Sequence, residues 1–246
     1  MIEAVLFDGD QTLWDFQKVM RHALTAVLAE LRAARPGPLA DQLTLADLSA
    51  DRNAVAEELS GVEFNLARLR HLGFARTLHR LQSPGSPWSA AADGLLAKQL
   101  TDSYMEHRDR DPALFDDTLP CLEALRPHYR LGLLSNGSRL PETVGLGGFF
   151  EVVVFAQDHR VAKPDPAIFA IVEQQMDLDP GSAVLVGDHH LNDVVGAKRS
   201  GWAAVWIDRD GDGTYRPPEG TTERPDAEIT SLAQLPEVLT RLSRDM

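Results

Sequence analysis

Apolar residues follow two different patterns along the chain, and these predict two kinds of structure. At the N-terminus, Ile2–Phe7 is a short apolar run that predicts a buried strand. After about residue 112, apolar runs alternate with helix-forming segments near 120–127, 166–175 and 192–200. The strands predicted there are Leu131–Leu134, Val152–Phe155, Ala183–Val186 and Ala203–Ile207. Strands that alternate with helices indicate a parallel sheet covered on both faces.

The segment between these strands has a helical pattern. Apolar residues recur three and four positions apart in its long stretches, which are Lys18–Arg35, Glu63–Gln82 and Ser89–Arg108. Proline and glycine clusters at 36–38 and 83–87 separate the stretches, so we expect four or so helices. The predicted fold class is α/β. A Rossmann-like parallel sheet core would occupy residues 1–16 and 110–246, and an inserted all-helical domain would occupy residues 17–109.

Composition narrows the possible partners and location. The 246 residues are 43% hydrophobic and 25% charged, which is typical of a globular protein. The net charge of −13 repels phosphodiester backbones, so we expect no nucleic-acid partner. No apolar stretch reaches the ~18 residues of a membrane span, and the N-terminus lacks a signal peptide. The single cysteine, Cys121, cannot form an internal bridge and favours the cytoplasm. Oligomeric state stays open.

Polar residues that follow the strands are the candidates for chemistry, because ligands bind beyond the carboxyl ends of parallel strands. Asp8 and Asp10 follow the first strand, and in extended chain their side chains point the same way. Two adjacent carboxylates commonly share a hard cation or shift each other's pKa. An ordinary acidic turn explains this pair equally well when it is taken alone.

Two later loops carry groups that can bind an anion. Ser135 ends the second strand, and its hydroxyl with the backbone N–H groups of Asn136 and Gly137 could hold phosphate oxygens. A helix N-cap is the simpler interpretation of that segment. Lys163 lies just before a predicted helix and could bring a compact positive charge to phosphate, although taken alone a solvated surface lysine is the simpler interpretation.

A fourth loop adds acidic residues. Asp188 follows the strongly apolar strand Ala183–Val186, and Asp193 lies near the start of the next helix. Helix capping accounts for Asp193. Together with the first acidic pair, Asp188 would complete an all-oxygen site that suits Mg²⁺.

In this order, the four groups resemble the signatures of the haloacid-dehalogenase-like superfamily. Those signatures are D-x-D-x-T, a serine or threonine after the second strand, a lysine, and G-D-x-x-x-x-D. They stand here as Asp8–Thr12, Ser135, Lys163 and Gly187–Asp193. The resemblance covers roughly residues 1–16 and 110–246. The helical insertion is similar in position to the helical (C1-type) caps of that family.

The resemblance implies a phosphatase that hydrolyses a small-molecule phosphate monoester. Asp8 would attack phosphorus to form an aspartyl-phosphate. Asp10 would protonate the leaving alkoxide and then deprotonate the attacking water. Ser135, with the amides of Asn136 and Gly137, would bind phosphate oxygens, and Lys163 would neutralise charge.

The resemblance also implies a Mg²⁺ cofactor. The carboxylates of Asp8 and Asp188 and the backbone carbonyl of Asp10 would hold the ion. Asp193 would orient Lys163 or a water on the metal.

Two other functions would use similar residues. A phosphomutase shares the aspartyl-phosphate but returns the phosphoryl group to its substrate. A non-enzymatic phospho-accepting module would resemble receiver domains, but those place the phosphorylated aspartate on a middle strand and lack a large helical insertion. The dehalogenase branch of the superfamily lacks an acid two residues after the nucleophile, so Asp10 favours phosphate transfer.

Some features stay unassigned. Trp14–Phe16 either line the site entrance or pack against the point where the chain leaves for the insertion. His189 stands where members of the superfamily often carry a small residue, and we expect it to be exposed. Asp208–Glu219 matches a calcium-loop pattern, but it follows a strand instead of a helix, which argues against an EF-hand. The substrate is not identified.

Overall fold

The computed structural model describes residues 1–59, 61–82, 94–110, 113–209, 211 and 219–245. The chain divides into two compact units, one formed by Met1–Phe16 with Ala113–Met246 and the other by Gln17–Pro112. The second junction lies three residues beyond the predicted boundary because the last helix of the inserted unit continues to Arg110.

The first unit is built on a six-stranded parallel sheet, which confirms the predicted α/β class. Its strands stand in the spatial order β3-β2-β1-β4-β5-β6. They are β1 (Ala4–Phe7), β2 (Arg130–Ser135), β3 (Val152–Phe155), β4 (Ala183–Gly187), β5 (Ala203–Ile207) and β6 (Ala227–Ile229). The N-terminal strand is therefore the third strand across the sheet, with β2 and β4 on either side.

Both faces of the sheet are buried, as the near-continuous apolar strands require. Along β1, Val5 and Phe7 belong to one apolar cluster, whereas Ala4 and Leu6 belong to the other. All four side chains are fully buried. Because successive side chains of a strand point to opposite faces, β1 contributes to two cores at once.

The second unit is helical in the part that the structure describes. Its α-helices are α1 (Phe16–Ala34), α2 (Pro38–Gln42), α3 (Leu45–Glu58), α4 (Leu66–Gln82) and α5 (Leu95–Arg110). They enclose a separate apolar cluster that includes Leu24, Leu31 and Phe74. The predicted separator at 83–87 and the first residues of the predicted helical stretch Ser89–Arg108 lie outside the described residues.

Two details of this helical unit differ from the prediction. Helix α3 was not predicted, because its apolar residues do not form a clear stripe. Its start is nevertheless marked in the sequence by a capping box between Thr44 and Asp47. The helix predicted from Glu63 instead begins at Leu66, after a short 3₁₀ turn.

Helices of the first unit cover the sheet. They are α6 (Thr118–Leu125), α7 (Ala156–His159), α8 (Pro166–Met176), α9 (Gly196–Arg199) and α10 (Leu235–Asp245). One α-helix was predicted near residues 192–200. The chain there forms a π-helical turn, His190–Val195, and α9 continues from it. This wider turn carries Asp193, one of the predicted site residues.

An ion pair joins four loops of the first unit. The Asp117 carboxylate accepts hydrogen bonds from Arg209 Nη1 at 2.8 and 2.9 Å, from Ser231 Oγ at 2.6 Å and from Leu232 N at 2.9 Å. Arg209 also donates to the carbonyl of Thr12 at 2.5 Å. Burial raises the pKa of Asp117, but the hydrogen bonds from Arg209 and Ser231 outweigh it and hold the pKa below its usual range.

Two features of the described residues concern membrane insertion and thiol chemistry. Among the described helices, none is both long and apolar enough to cross a membrane. Cys121 is a free, buried thiol in α6. Burial and the nearby Asp117 charge raise its pKa to about 12, so the thiol stays protonated and unreactive near neutral pH.

Replacement of Asp117 by Ala should lower the free energy of unfolding by about 3 kcal/mol at pH 7, because it leaves Arg209 without its buried partner. Since the folded-state pKa of Asp117 is depressed, this loss should shrink as pH falls below the unfolded value of about 3.9. Urea denaturation at several pH values measures both effects.

Glu151→Ala is the matched control, since it breaks an exposed ion pair with Arg130. We expect it to cost about 1 kcal/mol or less. Equal losses in the two variants would show that the Asp117–Arg209 pair has no special role in stability.

Candidate active site

The predicted site residues follow strands that end side by side. Phe7 of β1 is level with Leu133 of β2 and Val186 of β4. Asp8 comes directly after β1, Ser135 is the last residue of β2, and Asp188 comes directly after β4. The carboxyl edge of the sheet therefore collects groups that are far apart in sequence.

Lys163 is the centre of this edge. Its Nζ lies 2.7 Å from Asp8 Oδ1 and 2.6 Å from Asp193 Oδ1. The exposed fractions of the Lys163, Asp8 and Asp193 side chains are only 1%, 10% and 2%. A buried ammonium held by two carboxylates is a built ion-pair site and not a solvated lysine.

Asn136 holds the Lys163 loop in place. Its side-chain Nδ2 donates to the Lys163 carbonyl at 2.9 Å, and its Oδ1 accepts from the Lys163 backbone N–H at 2.9 Å. The sequence interpretation considered only the backbone amide of Asn136. The structure adds a side-chain connection between the Ser135 loop and the Lys163 loop.

Ser135 and Gly137 form the next part of the site. Ser135 is buried, and its Oγ accepts a hydrogen bond from the backbone N–H of Gly137 at 3.0 Å. A Cβ on Gly137 would lie 2.8 Å from Asp10 Oδ2 and 3.2 Å from Ser135 Oγ. The Ser135 loop therefore lies against the Asp10 carboxylate, and residue 137 must lack a side chain for this approach.

The Asp10 carboxylate is hydrogen-bonded by Trp14, a residue for which the sequence allowed two different positions. The indole Nε1 of Trp14 donates to Asp10 Oδ1 at 2.6 Å, and the Trp14 side chain is fully buried. Trp14 thus belongs to the core and to the site at once. A buried tryptophan needs an acceptor for its N–H, but the burial of Trp14 is visible only in the structure.

Asp193 is fixed on two sides. Its Oδ1 accepts from Lys163, and its Oδ2 accepts from the backbone N–H of His189 at 2.9 Å. A Cβ on Gly187 would lie only 2.3 Å from Asp193 Cγ, so this glycine makes the space for the carboxylate. His189 itself is exposed, and its Nδ1 accepts from Asn192 N at 3.1 Å.

Asp188 is half-buried, and its backbone is held by a second tryptophan. Trp206 Nε1 donates to the Asp188 carbonyl at 2.7 Å. This contact joins the ends of β4 and β5, and sequence reasoning missed it. Most of the calcium-like loop Asp208–Glu219 lies outside the described residues.

Negative charge is in excess at this site. Burial, together with the charges of Asp193, Asp188 and Asp10, raises the pKa of Asp8 well above its usual value, although Lys163 opposes the shift. Burial and the Asp193 charge raise the pKa of Asp188 to about 7. Burial would lower the pKa of Lys163, but the ion pairs with Asp193 and Asp8 raise it well above its ordinary value. The ammonium therefore stays charged, and it is the partner of two carboxylates in a site that holds four acids.

This excess charge fits a divalent cation. One carboxylate oxygen from each of Asp8, Asp188 and Asp193 lies within 4.8 Å of the others. Carboxylate oxygens are the ligands that Mg²⁺ prefers. Both oxygens of Asp193 already accept hydrogen bonds, so Asp8 and Asp188 are better suited to hold an ion directly.

Comparisons with known proteins identify the family of the chain. A sequence model of the haloacid dehalogenase-like hydrolase family matches residues 2–201. The chain is 28% identical to a glyceraldehyde 3-phosphate phosphatase of Methanopyrus kandleri, with both chains covered completely. It is 29% identical to the 5-amino-6-(5-phospho-D-ribitylamino)uracil phosphatase YigB of Escherichia coli, over 95% of this chain and 94% of that one.

A solved structure gives a similar picture of the fold. The 2-haloacid dehalogenase from Pseudomonas syringae pv. Tomato DC3000 superposes with a TM-score of 0.76 at 30% identity. The match covers 98% of this chain and all of that one.

A substitution at Gly187 tests how closely the Asp193 carboxylate packs against this residue. Gly187→Ala should lower the free energy of unfolding by about 2 kcal/mol, since the added methyl group forces the buried Asp193 carboxylate to move. Gly181→Ala is the control, because a Cβ at Gly181 has no atom within 4 Å. Thermal denaturation compares the two, and an equally small effect in both would contradict the close packing.

Proposed function

This chain belongs to the haloacid dehalogenase-like hydrolase family, and we propose that it is a Mg²⁺-dependent phosphatase that hydrolyses a small-molecule phosphate monoester through Asp8. The observation that carries the proposal is the buried Lys163 ammonium, held between Asp8 and Asp193 beside two further acids. Phosphoric monoester hydrolysis is also the activity in the names of both matched relatives.

In the first step, a carboxylate oxygen of Asp8 forms a bond to phosphorus while the bond from phosphorus to the ester oxygen breaks. Asp10 gives its proton to the departing oxygen. The product alcohol leaves, and the phosphoryl group stays on Asp8 as an acyl phosphate.

In the second step, water attacks phosphorus and Asp10 takes the proton from that water. The bond between phosphorus and Asp8 breaks, which returns the carboxylate and releases inorganic phosphate. Lys163 stays protonated throughout and offsets negative charge on Asp8 and on the phosphoryl oxygens. Ser135, with the backbone N–H groups of Asn136 and Gly137, orients those oxygens.

We propose that Mg²⁺ is held by the carboxylates of Asp8 and Asp188 and by the carbonyl of Asp10, where it supplies positive charge against the repulsion between phosphate and carboxylate. Asp193 holds Lys163 in position, since its carboxylate contacts the Lys163 ammonium. We assign substrate selection to the helical unit, Gln17–Pro112, because it is inserted at the position where this family carries its caps.

Dehalogenation is the second candidate, because a 2-haloacid dehalogenase is among the solved structures that this chain resembles. That reaction expels halide, which needs no proton, whereas an alkoxide does. Asp10 is present here and is bound by Trp14 in the site, and this favours the phosphatase. A phosphomutase would use the same residues but would release no free phosphate.

Asp8→Asn should reduce phosphate release by about 1,000-fold or more, because the amide is a poor nucleophile. The assay measures inorganic phosphate with Mg²⁺ and a panel of glyceraldehyde 3-phosphate, sugar phosphates, nucleoside monophosphates, phosphoglycolate and 4-nitrophenyl phosphate. Halide release from 2-chloropropionate is measured in parallel.

Asp179→Asn is the matched control, since Asp179 is an exposed acid that precedes β4 at the opposite edge of the sheet. We expect its activity to equal that of the wild type. Wild-type halide release without phosphate release would overturn the proposal. Isomerised product without free phosphate would identify a mutase.

Magnesium should stabilise the protein more at high pH than at low pH. The raised pKa of Asp188, about 7 without metal, means that protons compete with the ion. Without metal, this group's contribution to stability is complete below its unfolded pKa and is lost as pH rises toward 7. Millimolar Mg²⁺ should therefore raise the melting temperature little at about pH 5.5 and clearly at about pH 8.

Differential scanning calorimetry with Mg²⁺ and with EDTA tests this expectation. The Asp188→Asn variant should show a clearly smaller increase at about pH 8 than the wild type, because one of the two carboxylate ligands is lost. A wild-type increase of the same size at both pH values would contradict a site that includes Asp188.

A further inference from the structure

The loop after the first strand turns back so that Trp14 reaches Asp10. Gln11 adopts the left-handed backbone conformation, with φ 62°, at the tip of this turn. Its N–H donates to the Trp14 carbonyl at 2.8 Å, and Leu13 N donates to the Gly9 carbonyl at 2.9 Å. A non-glycine residue in this conformation is uncommon and needs surrounding contacts to hold it, so the turn is a built feature.

The indole ring is held by packing as well as by hydrogen bonding. A Cβ on Gly9 would lie 2.3 Å from Trp14 Cζ2, so the ring lies directly against the backbone between Asp8 and Asp10. Its side chain is fully buried. The ring therefore cannot move away from Asp10 without disturbing the core.

The two oxygens of Asp10 have different neighbours. Oδ1 accepts from Trp14 Nε1 at 2.6 Å, and the indole N–H is a donor only. That oxygen must therefore act as an acceptor and carry no proton on the indole side. Oδ2 faces the Ser135 loop, because it lies 2.8 Å from where a Gly137 Cβ would be.

We propose that Trp14 is a positioning residue that fixes the Asp10 carboxyl group, so that Oδ2 carries the proton exchanged with the substrate. The inference rests on the proposed phosphatase function. Oδ2 gives its proton to the ester oxygen as the bond from that oxygen to phosphorus breaks and Asp8 bonds to phosphorus. In the second step, Oδ2 takes a proton from water as the bond from phosphorus to Asp8 breaks.

The test compares two aryl esters of nearly equal size. Phenolate needs a proton to leave, whereas 4-nitrophenolate is a good leaving group without one. Trp14→Phe should lower kcat/KM for phenyl phosphate by about 10- to 100-fold, part of the ~10²–10⁴-fold that acid–base catalysis supplies. For 4-nitrophenyl phosphate the decrease should be about threefold or less, since general-acid help counts for little there.

Trp202→Phe is the matched control. Trp202 is equally buried, and its Nε1 donates to Glu173 Oε1 at 2.7 Å in the other apolar cluster of the same unit. We expect this variant to change both substrates by similar, small factors. If Trp14→Phe lowered kcat/KM equally for the two esters, Trp14 would have only a structural role and the proposal would be wrong.

Two further measurements complete the test, and the first of them does not use Trp14→Phe, so it stays decisive if that variant folds poorly. Benzothienylalanine at position 14 keeps the ring size but replaces N–H with sulfur, and it should reproduce the selective loss. In an Asp10→Asn background, Trp14→Phe should have little additional effect on phenyl phosphate, because the two changes act through one group. Fully additive losses would overturn the proposal.

Failure of the proposed function gives a different result. A wild-type enzyme that releases phosphate from neither ester, nor from any substrate in the panel, contradicts the phosphatase itself and with it this inference. Wild-type turnover of both esters, with no leaving-group dependence in the Trp14 variants, contradicts only the role of Trp14.

Discussion

The buried contact between Lys163 and the carboxylates of Asp8 and Asp193 is the interaction on which the site depends. A single ammonium offsets part of the charge of several acids that would otherwise repel one another in a buried region. Either charged group alone would destabilise the folded protein there, because an unpaired buried charge carries a large desolvation cost. The remaining negative charge favours a cation, so this arrangement of one ammonium and two carboxylates accounts for the packing of the edge and supports the proposed metal site.

The parallel sheet makes this concentration of charge possible. Since β2, β1 and β4 are neighbours and end within two residues of one another, three loops from distant parts of the chain meet at the same edge. Hydrogen bonds from two side chains hold neighbouring loops together. Asn136 joins the Ser135 loop to the Lys163 loop, and Arg209 joins the loop after β5 to the loop after β1. The scaffold thus restricts several loops through a few bonds.

Much of this could be predicted from sequence. Continuous apolar runs such as Ala183–Val186 identify buried parallel strands, and polar residues directly after them identify the site edge. Helix α3 was missed because its apolar residues lack a clear stripe, and the π-helical turn that carries Asp193 was taken as a regular helix. The Trp14 contact with Asp10 depends on a backbone reversal at Gln11, which no periodic pattern records.

The double hydrogen bond of Asn136 has a consequence for the chemical ageing of the protein. Asparagine followed by glycine is the dipeptide most prone to lose its side-chain amide, and Asn136 precedes Gly137. Deamidation would remove the donor to the Lys163 carbonyl and add another acid to a region already rich in them. Because both ends of the amide are bound to the Lys163 backbone, its cyclisation requires these bonds to break first. The contact that aligns two loops therefore also protects the residue that makes it.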